Sequence, residues 1–526
     1  MSSLLMRTLS LLAKIPPLQP LLNRMAINLA VGRTLPRPYP YSLWSPDPKV
    51  LVTPEPYITW PGLVDRRYTG RHLPPAPAAS LAGLPDIDSV AALFMRDRPI
   101  ASERTTALFC FFAQWFTDSF LRTDGSDRRR NTSNHEIDLC QIYGLDETTS
   151  GILRERRGGR LRTQTLPTGV FPPRLYGEDG ALQQEFTSLT YTAGQDGERV
   201  VDKMLPSVFK ERLPPAELER RKLRLYATGL ERGSNTVLYA ALNAVFLREH
   251  NRICGLLAAR HGDWDDDRLF EIARNINIVQ ALKLVIEEYI NHLAGVPLQF
   301  RLDSTFADQQ GWYRANRIAI EFNLVYRWHS MVPDQLVLAD GTTLSTDDYR
   351  FNNERLEAIG VEALLAAASR QPAGRVGLRN SPKWMWEAEV AALKFARDFR
   401  LQPFNAYRRR FGLDPIQDWD GLTGDADLSG ALRALYGNVD RLEFVPGLFA
   451  EQHGEGSSFG ELLRTMVAVD AFSQVFTNPL LSAQCYAERD AFGDIGIGIV
   501  ESTTGLEDIV RRNAPAGVEV LARFHL

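Results

Sequence analysis

Apolar residues recur at helical spacing along most of this chain. At 3.6 residues per turn, positions i, i+3, i+4 and i+7 share one helix face. Segments 101–122, 236–260, 268–294, 316–331, 384–400 and 458–475 carry that pattern, whereas runs that alternate apolar and polar residues are few. The pattern predicts a mainly α-helical body. Between these segments, 123–135, 165–182, 192–198 and 340–350 are polar or rich in proline and glycine and read as surface loops. Residues 32–78 are rich in proline and aromatic side chains, from Pro36-Arg37-Pro38-Tyr39-Pro40 to Leu73-Pro74-Pro75. They predict an extended connection, and a division into residues 1–78 and a large body over 79–526. No internal repeat is visible.

The first 31 residues carry two apolar stripes. Leu5, Leu9 and Leu12 precede Pro16, Pro17 and Pro20, and Leu18, Leu21, Leu22, Met25 and Leu29 follow at i, i+3, i+4, i+7 and i+11. Two short amphipathic helices are expected, which either pack on the body or lie in a bilayer interface. The prolines interrupt the run of about 20 apolar residues that a spanning helix needs. No small-residue cleavage site follows the apolar stretch, so a cleaved signal is not expected.

Composition narrows the function more than the fold. Hydrophobic residues make up 44% and charged residues 24% of the 526, enough apolar surface for a large core. The 60 basic and 64 acidic residues are spread along the chain, with a formal charge of −4, so no field stands out that would attract nucleic acid. Cys110, Cys140, Cys254 and Cys485 form no CxxC pair. They suggest neither a zinc site nor a disulfide framework, and fit a reducing, cytosolic setting.

Three segments carry candidate chemistry. In Glu321-Phe-Asn-Leu-Val-Tyr326-Arg-Trp-His329, a continuous helix would place a phenol and an imidazole three residues apart, facing the same side. By spacing alone, a histidine on an apolar helix is more often structural than a metal ligand. Gln114 and Asp118 are i, i+4 neighbours on an otherwise apolar helix and need polar partners there, although polarity next to a loop would also explain them. The run Arg248-Glu-His-Asn-Arg252 sits between apolar stretches, which argues for buried, paired charges rather than a solvated face.

Together and in this order, these segments resemble the animal-type haem peroxidase superfamily, most closely its cyclooxygenase branch. Asp138-Leu-Cys-Gln-Ile-Tyr143-Gly144, Asn316-Arg-Ile-Ala, Phe404-Asn-Ala-Tyr-Arg-Arg-Arg-Phe411 and Ala434-Leu-Tyr-Gly437 extend the likeness. The resemblance implies a helical haem peroxidase-like catalytic domain preceded by amphipathic membrane-binding helices on the cytoplasmic side, with no counterpart of the growth-factor-like module of animal cyclooxygenases. It implies His329 as the axial iron ligand and Tyr326 as the radical residue. The radical would take hydrogen from a fatty acid, to which O2 then adds. Thr117 and Asn235 stand where mammalian peroxidases have the Asp and Glu that form haem esters, so haem b is expected to be non-covalent. A calcium loop is not recognisable, and no calcium is expected. A homodimer is compatible with the family.

The same likeness assigns a substrate channel. Arg71 matches the arginine that pairs with the fatty-acid carboxylate at the channel mouth, Val296 replaces the mouth tyrosine, and Tyr289 is retained. Ser473 matches the serine that aspirin acetylates. Val469 and Phe476 stand in place of glycines, and their added volume implies a substrate shorter, or bent differently, than cyclooxygenases take. The distal histidine is replaced by Asp118, with Arg232 where halide-oxidising peroxidases have a distal arginine. A carboxylate of ordinary pKa, about 3.9, is a poor base at neutrality, and an ion pair with Arg232 would lower the pKa further. Weak peroxidase turnover is therefore expected. The competing readings are a haem enzyme that rearranges lipid hydroperoxides or oxidises a non-lipid substrate, and a non-catalytic haem or lipid scaffold.

Overall fold

A computed structural model describes residues 15–34, 59–189, 191, 200–209, 212–295, 298–304, 306–454, 456–487 and 489–526. The first expected amphipathic helix, the loop 192–198 and Val296 lie outside these residues. The molecule is mainly helical, and its described strands form three two-stranded antiparallel sheets. The helices that position the site are α1 (Gln19–Val31), α2 (Ala107–Thr117), α3 (Val237–Arg260), α4 (Asp266–Leu284), α5 (Ile320–Val325), α6 (Val361–Arg370), α7 (Trp386–Asp398) and α8 (Glu461–Phe476). Two expected loops are partly regular. A hairpin occupies Gln164–Leu166 and Gly169–Phe171, and Thr343–Ser345 pairs with Gln335–Val337.

Helix α3 is the core. It is enclosed on every side from Val237 to His250, where apolar side chains predominate. The Thr236 hydroxyl caps its first turn by accepting from the Tyr239 amide. Helices α2, α4 and α6 pack around it. The charged run on α3 is buried and paired, as its apolar flanks imply. Arg248 donates to Glu362 at 2.9 Å, and Glu249 accepts from Arg252 and Arg512 at 2.8 and 3.0 Å. His250 is held between Tyr143 and the Gly159 carbonyl, and burial lowers its pKa to about 4, so it stays neutral. These groups are structural.

The expected helix over 316–331 is much shorter. It ends at Val325, and Tyr326 (φ −93°, ψ 19°) and Trp328 (φ −85°, ψ 46°) leave helical geometry before a 3-10 turn at His329–Met331. Tertiary partners explain the break. The Ser330 carbonyl packs onto Gly374, where a Cβ would lie 1.9 Å from it, and accepts from Asn380 at 3.4 Å. The Val332 carbonyl accepts from Arg96 at 3.1 Å. Pro333 also disfavours helical geometry at the residue before it.

Helix α1 docks through Asn23, Ile27 and Val31, which are buried at i, i+4 and i+8. Asn23 exchanges hydrogen bonds with the Arg301 backbone, Asn28 accepts from Trp312 at 2.8 Å, and Arg24 pairs with Asp303 at 2.6 Å. The apolar stripe expected either to pack on the body or to lie in a bilayer interface therefore points outward, with Leu21, Met25 and Leu29 57%, 58% and 59% exposed. Among the described residues no helix is long and apolar enough to cross a membrane. The connection from residue 59 onward is knitted into the body: Gly70 exchanges backbone hydrogen bonds with Ile318 and Ile320, and Ala76 donates to Arg400.

Candidate active site

A cavity of about 380 Å³ lies between α2 and the turn that follows α5. One wall comes from α2. Its Trp115 is turned inward, donating to Asn243 of α3 at 2.9 Å and stacking on Phe246 at 4.5 Å. That anchor leaves Gln114, Thr117 and the C-cap residue Asp118 lining the cavity. The facing wall is Tyr326, Arg327, Trp328 and His329, and the sides include Arg232, Asn235, Arg350 and Trp384.

Asp118 is buried, and its Oδ1 accepts from Arg232 Nη1 at 3.0 Å. Arg232 itself is half-exposed to the cavity. The loop that carries it is held by a second pair, Arg122 with Glu231 at 3.1 Å. Asp118 Oδ2 is buried without a hydrogen-bond partner among the described residues, with the Tyr239 hydroxyl close by. The expected ion pair thus exists, but its expected consequence does not follow. Burial raises the Asp118 pKa above the ordinary carboxylate value despite the opposing charges of Arg232 and Arg122. The group is a stronger base than an exposed aspartate.

Opposite, His329 Nδ1 lies 3.0 Å from Glu389 Oε1. Neither ring nitrogen makes a hydrogen bond among the described residues: Nδ1, although close to the carboxylate, is not aligned to donate to it. Tyr326 is half-buried, and its ring stacks on Trp328 at 4.7 Å. Its hydroxyl has no bonded partner among the described residues. Burial raises its pKa, so it stays a neutral phenol. Tyr289, in a π-helical segment that continues α4, sits close to Tyr326, and its pKa is likewise raised by burial. Phe109 stacks on Tyr289 at 4.7 Å.

Of the residues the sequence singled out, Gln114, Asp118, Arg232, Tyr326 and His329 share this cavity; Arg71, Tyr289, Val469, Ser473 and Phe476 do not line it. Arg71 is 2% exposed, and its guanidinium donates to the carbonyls of Leu73, Phe399 and Arg400. That guanidinium clamps the backbone of two segments together. Val469, Ser473 and Phe476 are buried on α8, with Phe476 against Phe306 and Phe472. The sequence reading missed Glu389, Arg327, Arg350 and Trp384. Arg327 was legible as the neighbour of Tyr326; the other three come from distant segments, and no spacing marks them.

The cavity fits an iron porphyrin. It offers one imidazole with a free ring nitrogen on one wall and a polar pair on the other. The guanidiniums of Arg327 and Arg350 make neither a hydrogen bond nor an ion pair among the described residues, and that of Arg350 lies over the Trp384 ring at 4.4 Å. Burial lowers the pKa of both, with Arg232 adding to the effect on Arg327. Cavity-facing guanidiniums without counter-ions suit the two propionates of a haem. Thr117 and Asn235 both line the cavity, and neither has a carboxyl to esterify with haem.

The animal haem peroxidase family model matches residues 121–478, more than half of the chain. Prostaglandin G/H synthase 1 of Mus musculus is 34% identical over 481 residues, covering 89% of this chain and 74% of that protein. Prostaglandin G/H synthase 2 of Bos taurus is 29% identical, covering 87% and 72%. A variant of the fatty acid alpha-dioxygenase of Oryza sativa, solved with palmitic acid, shares the fold with a TM-score of 0.66 at 18% identity, covering 95% of this chain and 90% of that one. The chain belongs to the animal haem peroxidase family. Within it, the likeness is to the cyclooxygenase-like branch, and the chain is an oxidoreductase of the haem peroxidase type whose family implies haem.

Two measurements check this site. Hydrogen bonds to charged groups contribute about 1.5–3 kcal/mol, so Arg327→Leu and Arg350→Leu should each weaken ferric protoporphyrin binding about tenfold or more in a titration of apoprotein. The protoporphyrin dimethyl ester should bind wild type and variants alike, and equal haem affinity across all three proteins would remove the arginines from this role. For Asp118, a raised pKa means that the deprotonated base is present above that value and is lost as pH falls through it. The acid limb of a guaiacol-oxidation profile should therefore lie above the ordinary carboxylate range and disappear in Asp118→Asn.

Proposed function

We propose that this protein is a fatty-acid dioxygenase that uses non-covalent haem b and a Tyr326 radical to form a lipid hydroperoxide or cyclic peroxide. The observation that carries the reading is the joint exposure of Tyr326 and His329 to one cavity. Haem, when bound, supplies the one-electron oxidising equivalent that peroxide chemistry generates at iron. His329 is the residue placed to ligate it, through Nε2. Arg327 and Arg350 would hold the propionates, and the positions of Thr117 and Asn235 support non-covalent binding.

The protein's own part is positioning and proton handling. Asp118 takes and returns a proton on the peroxide side, with Arg232 holding its other oxygen in place. Peroxidase turnover is expected to be modest, since a carboxyl group replaces imidazole, yet better than an exposed aspartate would allow. The Tyr326 phenoxyl radical takes a hydrogen atom from an activated C–H bond of the lipid and becomes a phenol. Dioxygen adds to the carbon radical. The peroxyl radical then recovers a hydrogen atom from Tyr326, giving the hydroperoxide and restoring the phenoxyl. Burial, which keeps the phenol protonated, and the aromatic shell of Trp328, Phe109 and Tyr289 shield this step from water.

The fatty-acid class rests on the prostaglandin synthase relatives and on the palmitic acid in the alpha-dioxygenase fold relative. Helix α1 supports access from a membrane surface. Its body-facing side is satisfied, and the outward stripe of Leu21, Met25 and Leu29 is suited to the acyl boundary of a bilayer. Association is monotopic in this reading.

Two experiments test the proposal. Detergent-purified, haem-loaded protein is incubated with saturated and unsaturated C12 to C20 fatty acids under oxygen-18 gas. Intact label in a lipid product, reduced at least 100-fold in Tyr326→Phe, is expected; haem-loaded protein that labels no lipid would sink the dioxygenase reading. For the membrane, simultaneous Leu21→Ser, Met25→Ser and Leu29→Ser substitution should abolish most co-sedimentation with phosphatidylcholine vesicles while haem content stays unchanged. Undiminished sedimentation would dismiss α1 as the anchor.

A further inference from the structure

The environment of His329 contains a second acid that the reading above does not use. Glu389, in the first turn of α7, is 1% exposed, and its Oε1 is 3.0 Å from His329 Nδ1. A buried carboxylate is stable only with partners that replace water. Here Oε1 also accepts from the Ser381 hydroxyl at 2.7 Å, and Oε2 has no hydrogen-bond partner among the described residues. Ser381 is itself fixed in the backbone, donating its amide to Phe94 O and accepting from the Arg96 amide. The adjacent Asn380 donates to the Ser330 carbonyl, one residue past the histidine. The segment 380–381 therefore grips the proximal turn from both its main-chain and its side-chain side.

We infer that Glu389 is the positioning residue of the axial ligand: its carboxylate, 3.0 Å from Nδ1, takes the Nδ1–H of His329 by a small turn of the ring when Nε2 is given to iron, fixes the tautomer that leaves Nε2 for iron, and biases the iron toward its ferric state. This rests on the reading of His329 as the axial ligand. The physics is general. A ligating imidazole that donates its second N–H to a carboxylate becomes a stronger donor, and the more electron-rich ligand favours the higher-charged metal. The direction suits the proposed reaction, which begins from ferric iron and peroxide and is lost to any iron resting as ferrous. Ser381 moderates the effect, because a carboxylate that also accepts from a hydroxyl offers less charge to the imidazole.

The test uses the haem-loaded full chain, with spectroelectrochemistry for the ferric/ferrous midpoint and resonance Raman for the iron–histidine stretch of the ferrous form. Glu389→Gln keeps the shape and removes the charge. It is expected to lower the ferric-to-ferrous ratio at fixed potential at least tenfold, an upward shift of about 59 mV for one electron, and to lower the stretching frequency. Ser381→Ala leaves the carboxylate in place and should move both quantities the other way. A merely structural glutamate would leave the midpoint and the stretch of both variants at wild-type values, within twofold in the ratio, and that result overturns the proposal. A wild-type protein with no iron–histidine stretch would overturn the ligation by His329 and this proposal with it. A stretch that is present but insensitive to both substitutions overturns the role of Glu389 alone.

Discussion

Because helix α5 stops at Val325 and the chain turns through Tyr326, Arg327 and Trp328, a phenol, a guanidinium and an imidazole from four consecutive residues reach one cavity. In a continued helix, at about 100° per residue, Arg327 and His329 would point to nearly opposite sides. The turn is held by groups remote in sequence. Asn380 and Arg96 take the carbonyls that a helix would have bonded, and Gly374 leaves room for the Ser330 oxygen. Everything proposed for the site needs this turn.

The electrostatics of the cavity are asymmetric. Asp118 lines one wall, tied to Arg232, and Glu389 stands behind the other, against His329 and Ser381; each has its second oxygen buried and unbonded among the described residues. Three guanidiniums line the same space, and only that of Arg232 is paired with an acid. Burial raises the pKa of Asp118 and lowers those of Arg327 and Arg350. In both cases it disfavours the charged form, and an anion-bearing cofactor with a cationic metal would relieve the imbalance. The same apolar packing that makes the phenol of Tyr326 hard to ionise leaves it as a hydrogen-atom carrier.

Away from the cavity, two arginines and one helix show how little side-chain type alone decides. Arg71 is spent on three backbone carbonyls, and Arg248 on Glu362, because each is enclosed where an unmatched donor would be costly. Helix α1 has apolar residues on two sides. The side with Ile27 and Val31 meets the body because Asn23 and Asn28 fix the roll of the helix through Arg301 and Trp312. The other side is left to solvent or lipid.

The sequence by itself determined what depends on local periodicity and on the order of motifs. That covers the helical body, the enclosed α3 with its paired charges, the family, and the histidine, tyrosine, glutamine, aspartate and arginine that converge on the cavity. Periodicity identifies a helix face but not what it meets, so it left open which way the stripe of α1 points, and it does not show where tertiary bonds end a helix, so the Tyr326–His329 turn was misread as helix. The clamp role of Arg71 and the raised pKa of Asp118 depend on enclosure, which spacing does not encode. Glu389 reaches His329 only because α7, some sixty residues later in the chain, packs against the proximal turn. Contacts between segments so far apart are fixed by packing, and only the tertiary structure decided them.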